Sequence, residues 1–148
     1  MKCNTCFRIN RKPIHMIEWR TEYSAGIDRL DELNRKYIRA ANRVYEGLKD
    51  THQKDLLIEA LDEVLEYISL CFPEEERMMR IDGYPWYESH KDEHRKFLED
   101  IIDFQVGLIA GKQVSALKIG AVLYNWLTDH ICGLDKRYPI FLFVRSAA

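Results

Sequence analysis

The sequence predicts an all-α protein, an antiparallel up-down-up-down four-helix bundle preceded by an irregular N-terminal arm. Three observations predict it. In four successive stretches apolar residues recur at alternating spacings of four and three, which each time traces one face of a helix. The stretches are joined by short connections, so sequential helices run antiparallel. The chain has 148 residues, 47% of them hydrophobic and 31% charged, which suits one globular domain with a sizeable core. The expected division is a tail over 1–16, a bundle over 17–138 and a C-terminal tail over 139–148.

Residues 1–29 lack a sustained helical period. Pro13, Gly26 and the mixed run Trp19 to Ser24 read as an arm whose aromatic residues pack across helix ends. Cys3-Asn4-Thr5-Cys6 is a C-x2-C pair without the second pair that a zinc ribbon requires, and it reads as a tail with two thiols or as a redox pair. The first helical stripe is Leu30, Asn34, Tyr37, Ala41, Val44 and Leu48. Asp28 or Asp31 could cap it, and Gly47 with Lys49-Asp50-Thr51 marks its end. The second stripe is Leu57, Leu61, Val64, Ile68, Cys71, Glu75 and Met78. Pro73 removes the hydrogen bond to the Ser69 carbonyl, which predicts a kink near Cys71 and Glu75. Asp82-Gly83-Tyr84-Pro85 is a turn. The third stripe is His90, His94, Phe97, Ile101, Phe104 and Leu108, with Gly107 and Gly111 near its end. The fourth is Ala116, Ile119, Leu123, Trp126 and His130. Gly133 then loosens the helix, and an end turn could swing Asp135 onto the same face. The run Ile140-Phe141-Leu142-Phe143-Val144 is too short to span a membrane and is expected to cover part of the core.

Composition excludes several function classes. A net charge of −2 leaves no basic excess for nucleic acid. No stretch reaches transmembrane length, and Met1 to Trp19 lacks the apolar run of a secretory signal. Four cysteines beside a large core do not form a disulfide framework, so the expected location is the cytoplasm.

The chemistry gathers around His90-Lys91-Asp92-Glu93-His94. Two imidazoles four residues apart stand one above the other on a helix and can reach one metal ion. Bundle topology gives them partners. Asn34 starts the first helix, Cys71 and Glu75 end the second, His90 and His94 start the third, and His130 and Asp135 end the fourth. All seven therefore fall at one end of the bundle. A buried carboxylate persists when it is paired or binds a metal. Metal binding is preferred here over a buried His–Glu hydrogen-bond network, and imidazole with carboxylate suits iron, zinc or manganese.

The chain resembles the hemerythrins, and most closely the single-domain bacterial hemerythrins, from about Ile17 to Tyr138. The features that carry the likeness are Glu18-Trp19, Tyr23 to Ile27, Leu30 to Asn34, Cys71 to Glu75 and Gly83-Tyr84-Pro85. They end with His90-x3-His94 and Trp126-Leu127-x2-His130-Ile131-x3-Asp135. The resemblance implies a non-haem iron protein that binds O2, with His90, His94 and His130 on one iron and Glu75 and Asp135 shared between two. It implies two further histidines on the second iron, where O2 binds. Asn34 and Cys71 stand at those positions. His15 lies in the arm, and His52 lies roughly 28 Å from Cys71 along a helix at 1.5 Å per residue, so neither replaces them.

Three readings follow. One iron is held by the three histidines, with Glu75 and Asp135 as terminal ligands or supports. Alternatively two irons are held, with Cys71 as thiolate and Asn34 as carbonyl ligand. In the third, the bundle is a structural or partner-binding module. Cys71 suits packing as a small buried hydrophobe, and Asn34 suits an inward amide bonded to a neighbouring carboxylate. Trp126 and Leu127 suit the core, and the family places an apolar residue at the Leu127 position beside bound O2. The expected function is O2 binding, sensing or storage without catalysis. The alternative is an iron enzyme acting on peroxide or NO, at a mononuclear or thiolate-ligated site.

Overall fold

The computed structural model describes residues 16–50 and 54–148. The Cys3/Cys6 pair, His15 and His52 lie outside the described residues. Four helices form the bundle: α1 Asp28–Lys49, α2 Lys54–Ile81, α3 Tyr87–Ile109 and α4 Ala116–Asn125. A π-helical segment, Trp126–Leu134, continues α4 without a break, and α5 spans Arg137–Ala147. Contacts across the bundle fix the directions. Arg43 pairs with Glu63 and Gly47 meets Leu57, so residue numbers rise along α1 as they fall along α2. Gln105 with Asp62 and His94 with Glu76 give the same sense for α2 and α3. Tyr37 reaches the Leu123 carbonyl and Tyr45 the Gly120 carbonyl, so α1 and α4 are also antiparallel. The expected up-down-up-down order is what the chain adopts.

The stripes read from the sequence form the interior. Leu30, Tyr37, Val44, Leu61, Val64, Ile101, Ile119 and Leu123 are all buried. Two stripe ends differ. Ala116 is exposed at the first turn of α4, and Met79 rather than Met78 is buried at the end of α2. Leu61 is wholly buried, so Leu61→Ala should lower stability by about 2–5 kcal/mol through lost transfer energy and a residual cavity. A denaturant titration with an unchanged slope and a midpoint unmoved from wild type would contradict this.

Several local expectations are corrected. Neither Asp28 nor Asp31 caps α1. The N-cap position is Ile27, without a side-chain bond, and Asp31 instead accepts from the Ser24 hydroxyl and the Ala25 N–H, tying the arm down. Gly47 lies in the last turn of α1, which ends at Lys49 as expected. An added Cβ there would stand 3.3 Å from the Leu57 Cα, so Gly47 also permits close approach of α1 and α2. The arm does not simply cross helix ends. It runs along α1, with the Ile17 backbone bonded in both directions to the Asn42 amide and the Arg35 guanidinium 3.8 Å over the Trp19 ring. Pro73 does not interrupt α2, which continues to Ile81. Pro73 is exposed, while Cys71, Phe72 and Glu75 on either side are buried, so tertiary packing holds the turn that has lost a hydrogen bond.

The C-terminal run is helical and only half covers the core. Tyr138 is buried against Met79 and Tyr84, with Phe141 and Leu142 packed beside them. Its hydroxyl reaches the Asp82 carboxylate, which anchors α5 to the α2–α3 turn. Ile140, Phe143 and Val144 face outward, exposed. Among the described residues no helix is long and apolar enough to cross a membrane.

Candidate metal centre

Three elements bring the polar residues together. α3 contributes His90 and His94, one turn apart, with ring centroids 4.6 Å from each other. α2 contributes Glu75, and the π-helical segment contributes His130 and leads into Asp135. The π turn solves a spacing problem. Five residues on an ideal α-helix would leave Asp135 well off the face of His130. Here the Asp135 N–H bonds the His130 carbonyl at 3.0 Å, an i to i+5 bond that sets one residue above the other. The Asp135 Oδ1 then lies 3.1 Å from His130 Nε2 and 3.4 Å from His90 Nε2. Across the site, Glu75 Oε2 lies 3.2 Å from His94 Nε2 and 3.5 Å from His90 Nε2.

One ligand atom from each of Glu75, His90, His94 and His130 lies within 4.8 Å of the others. All four residues, and Asp135 with them, are at most 4% exposed. The Nε2 atoms of the three histidines and both Asp135 oxygens are buried, and none has a hydrogen-bond partner among the described residues. Buried polar atoms are rarely left so. Four residues whose ligand atoms lie within 4.8 Å of one another, with Asp135 Oδ1 against two of them, fit a divalent cation, and imidazoles with carboxylates suit iron.

The imidazoles are also held from behind. His94 Nδ1 lies 2.8 Å from Glu76 Oε1. This is the carboxylate–histidine arrangement that fixes the tautomer of a metal ligand. Phe72 stacks on His94 with centroids 3.8 Å apart, and Trp126 stacks on His130 at 3.7 Å. Electrostatics follow from the same contacts. Burial alone would raise the Glu75 carboxyl, but the His90 and His94 imidazoles beside it outweigh burial and hold Glu75 below the carboxylate range. Burial would lower His94, yet Glu75 and Glu76 pull it above the ordinary imidazole value. His130, more dominated by burial, falls below it.

Glu76 was not singled out in the sequence. The available signal is that it directly follows a candidate ligand on a helix packed beside α3, where a histidine's second nitrogen needs a partner. Glu76→Gln should weaken iron binding about 10–100-fold while leaving the fold intact. Competition against a chelator measures it, and wild-type affinity in the variant would remove Glu76 from that role.

Asn34 and Cys71 behave differently from the histidine set. Cys71 is wholly buried, and its Sγ lies 3.4 Å from Glu75 Oε1, to which the thiol donates. Burial, then the neighbouring carboxylates, push this thiol well above its ordinary pKa, so it is protonated in the metal-free site. Asn34 is buried, but its amide has no hydrogen-bond partner among the described residues. The expected bond from Asn34 to a neighbouring carboxylate is therefore not made. Asn34 comes from α1, which contributes no imidazole to the four-residue cluster. Leu127 and Trp126 are buried, Trp126 against His130.

Comparison with known proteins agrees with this geometry. The hemerythrin HHE cation binding domain model matches residues 25–138. A bacteriohemerythrin of Clostridium acetobutylicum is 30% identical over 127 residues, covering 83% of this chain and 98% of that protein. A bacteriohemerythrin of Stenotrophomonas maltophilia is 29% identical over 83% of this chain and 79% of its own length. A myohemerythrin of Theromyzon tessulatum is 26% identical over 82% of this chain and 89% of its own. No solved structure matches the chain significantly. A buried three-histidine, two-carboxylate cluster in a four-helix bundle, matched by the domain model over most of its length, makes this chain a member of the hemerythrin family of non-haem iron-binding, O2-related proteins.

Proposed function

We propose that the chain holds a single non-haem iron and binds O2 or another small diatomic ligand there, as a sensor or a store. His90, His94 and His130 are the terminal ligands, and Glu75 and Asp135 complete the set. The observation that carries the reading is the contrast between two ends of one pocket. Three unpartnered imidazole nitrogens converge on Glu75 and Asp135, whereas a protonated thiol and an amide stand where a second metal would need imidazoles. When bound, iron would supply reversible electron donation to the ligand. The protein's part is to exclude water with Leu127, Phe72 and Trp126 and to orient the imidazoles from Glu76. A cavity of about 160 Å³ lined by Tyr84, Trp86, His90, Leu134 and Arg137 offers small molecules an approach on the His90 side. A cytoplasmic location suits the reading, since a reducing compartment keeps a thiol such as Cys71 reduced.

Metal analysis of protein purified without added metal tests the proposal. About one iron per chain is expected, as three imidazoles and two carboxylates complete one coordination set and not two. Two irons per chain, with O2-dependent oxo–iron bands, would overturn it in favour of a carrier that has recruited Cys71 and Asn34. The second reading, a redox enzyme acting on peroxide or NO at a thiolate-ligated site, is favoured by one observation, the Cys71 thiol hydrogen-bonded to Glu75.

A further inference from the structure

Trp126 is more than a wall of the site. Its ring lies flat on His130, with centroids 3.7 Å apart and planes 12° from parallel. On its other side Phe97 stacks at 4.1 Å, and Phe72 lies 5.3 Å away. Phenylalanine is not oxidised under conditions that oxidise tyrosine or tryptophan, so neither ring can take charge from Trp126. One neighbour can. The indole Nε1–H donates to the Tyr67 hydroxyl at 3.4 Å. Tyr67 is 2% exposed. The next tyrosine, Tyr37, has its ring 5.0 Å from that of Tyr67, but its hydroxyl is committed to the Leu123 carbonyl at 2.6 Å. A backbone carbonyl is a poor proton acceptor, so an oxidised Tyr37 would keep its proton and be unfavourable. The oxidisable file that begins at the metal centre therefore ends at Tyr67.

This arrangement answers a shortfall created by the single-iron reading, on which the inference rests. Two ferrous irons supply two electrons to a bound oxidant, and one iron supplies one. We infer that Trp126 and Tyr67 form a built-in electron donor to the metal centre, Tyr67 delivering the second electron through Trp126 when the oxidant is hydrogen peroxide. The balance closes. The peroxide O–O bond breaks, the iron gives up one electron, Tyr67 gives up one electron and its phenolic proton, and solvent supplies one proton. Two waters form, and Tyr67 is left as a neutral radical. Trp126 passes the electron on and is unchanged in the net step.

The experiment has a metal-free arm and an iron-loaded arm. Trp19→Phe with Trp86→Phe leaves Trp126 as the sole tryptophan of three. Ultraviolet photoionisation of this metal-free protein creates the oxidised indole directly, and transient absorption follows it. The tryptophanyl signal should decay into a tyrosyl signal, and adding Tyr67→Phe should abolish that conversion while the ring packing and circular dichroism are kept. In the second arm, iron-loaded wild-type protein is mixed with hydrogen peroxide, frozen, and observed by electron paramagnetic resonance. A radical signal that narrows on ring-deuteration of tyrosine is expected, and it should be lost in Tyr67→Phe at unchanged iron content. A tryptophanyl decay identical with and without the Tyr67 hydroxyl would overturn the path. A peroxide-generated radical untouched by Tyr67→Phe would overturn it equally. Iron content of the same samples judges the single-iron reading separately, because the metal-free arm reports on the path whatever the stoichiometry.

Discussion

His94→Ala should leave the protein folded and its metal centre empty. His94 Nε2 is one of three converging imidazole nitrogens, and its ring is the one fixed on both sides, by Glu76 at Nδ1 and by the Phe72 ring. Removing it takes away a ligand, and Glu75 loses the neighbour that lies 3.2 Å from its Oε2. Loss of a mere supporting contact to a metal ligand weakens affinity about 10–100-fold, so loss of the ligand itself should cost at least about 100-fold. The site would then fail to retain iron through purification. Metal analysis with circular dichroism on the same sample reads the outcome. Helicity should persist, because the apolar core over Leu33, Leu61, Val64, Ile101 and Leu123 is untouched. Iron retained at the wild-type level would refute the assignment of His94.

The converse experiment restores what the pocket lacks. Asn34→His combined with Cys71→His should raise iron from about one to about two per chain, the complement of di-iron bundle sites. Both positions are buried, at 1% and 0% exposure, so new imidazoles would be excluded from solvent as the others are. The Cys71 change removes the thiol that now occupies Glu75 Oε1, freeing that oxygen to bridge. The Asn34 change removes an amide whose Oδ1 and Nδ2 are both without a partner, so little is lost there. Either substitution alone supplies a single new imidazole and should leave the count near that of wild type. The double variant staying at one iron per chain would mean that α1 and α2 stand wrongly spaced for a second metal.

The bundle was legible in the sequence because burial has a period. Leu30, Tyr37, Val44, Leu61, Ile101 and Leu123 repeat at helical spacing, and a helix has only one way to turn such a stripe inward. The convergence of Glu75, His90, His94 and His130 followed from the same logic, since alternating helix directions send those ends to one side. What periodicity could not supply was local geometry decided by packing. Gly47 reads as a helix-end residue, and only the approach of Leu57 shows that it also lets α1 and α2 pack closely. Pro73 reads as a break, yet the buried residues on either side carry α2 through it. The run from Ile140 to Val144 reads as core cover, but α5 buries one face and leaves the other in water.

The site divides in the same way. The sequence by itself determined which residue types are present: three imidazoles and two carboxylates at helix positions that meet, with the Asn34 amide and the Cys71 thiol on the same helical stripes. Those are facts of composition and spacing, and no folding changes them. The tertiary structure alone decided how they act. It wound Trp126–Leu134 as a π-helix and so put Asp135 over His130, giving a definite form to the end-turn swing that the sequence only allowed for. It recruited Glu76 behind His94 from the neighbouring helix. It set Trp126 against Tyr67 of another helix. The Glu76–His94 and Trp126–Tyr67 contacts join different helices, and the Asp135–His130 contact depends on a helical pitch chosen by the packing around it. The physical reason is that periodicity records only which side of an element faces inward, whereas contact depends on what lies opposite.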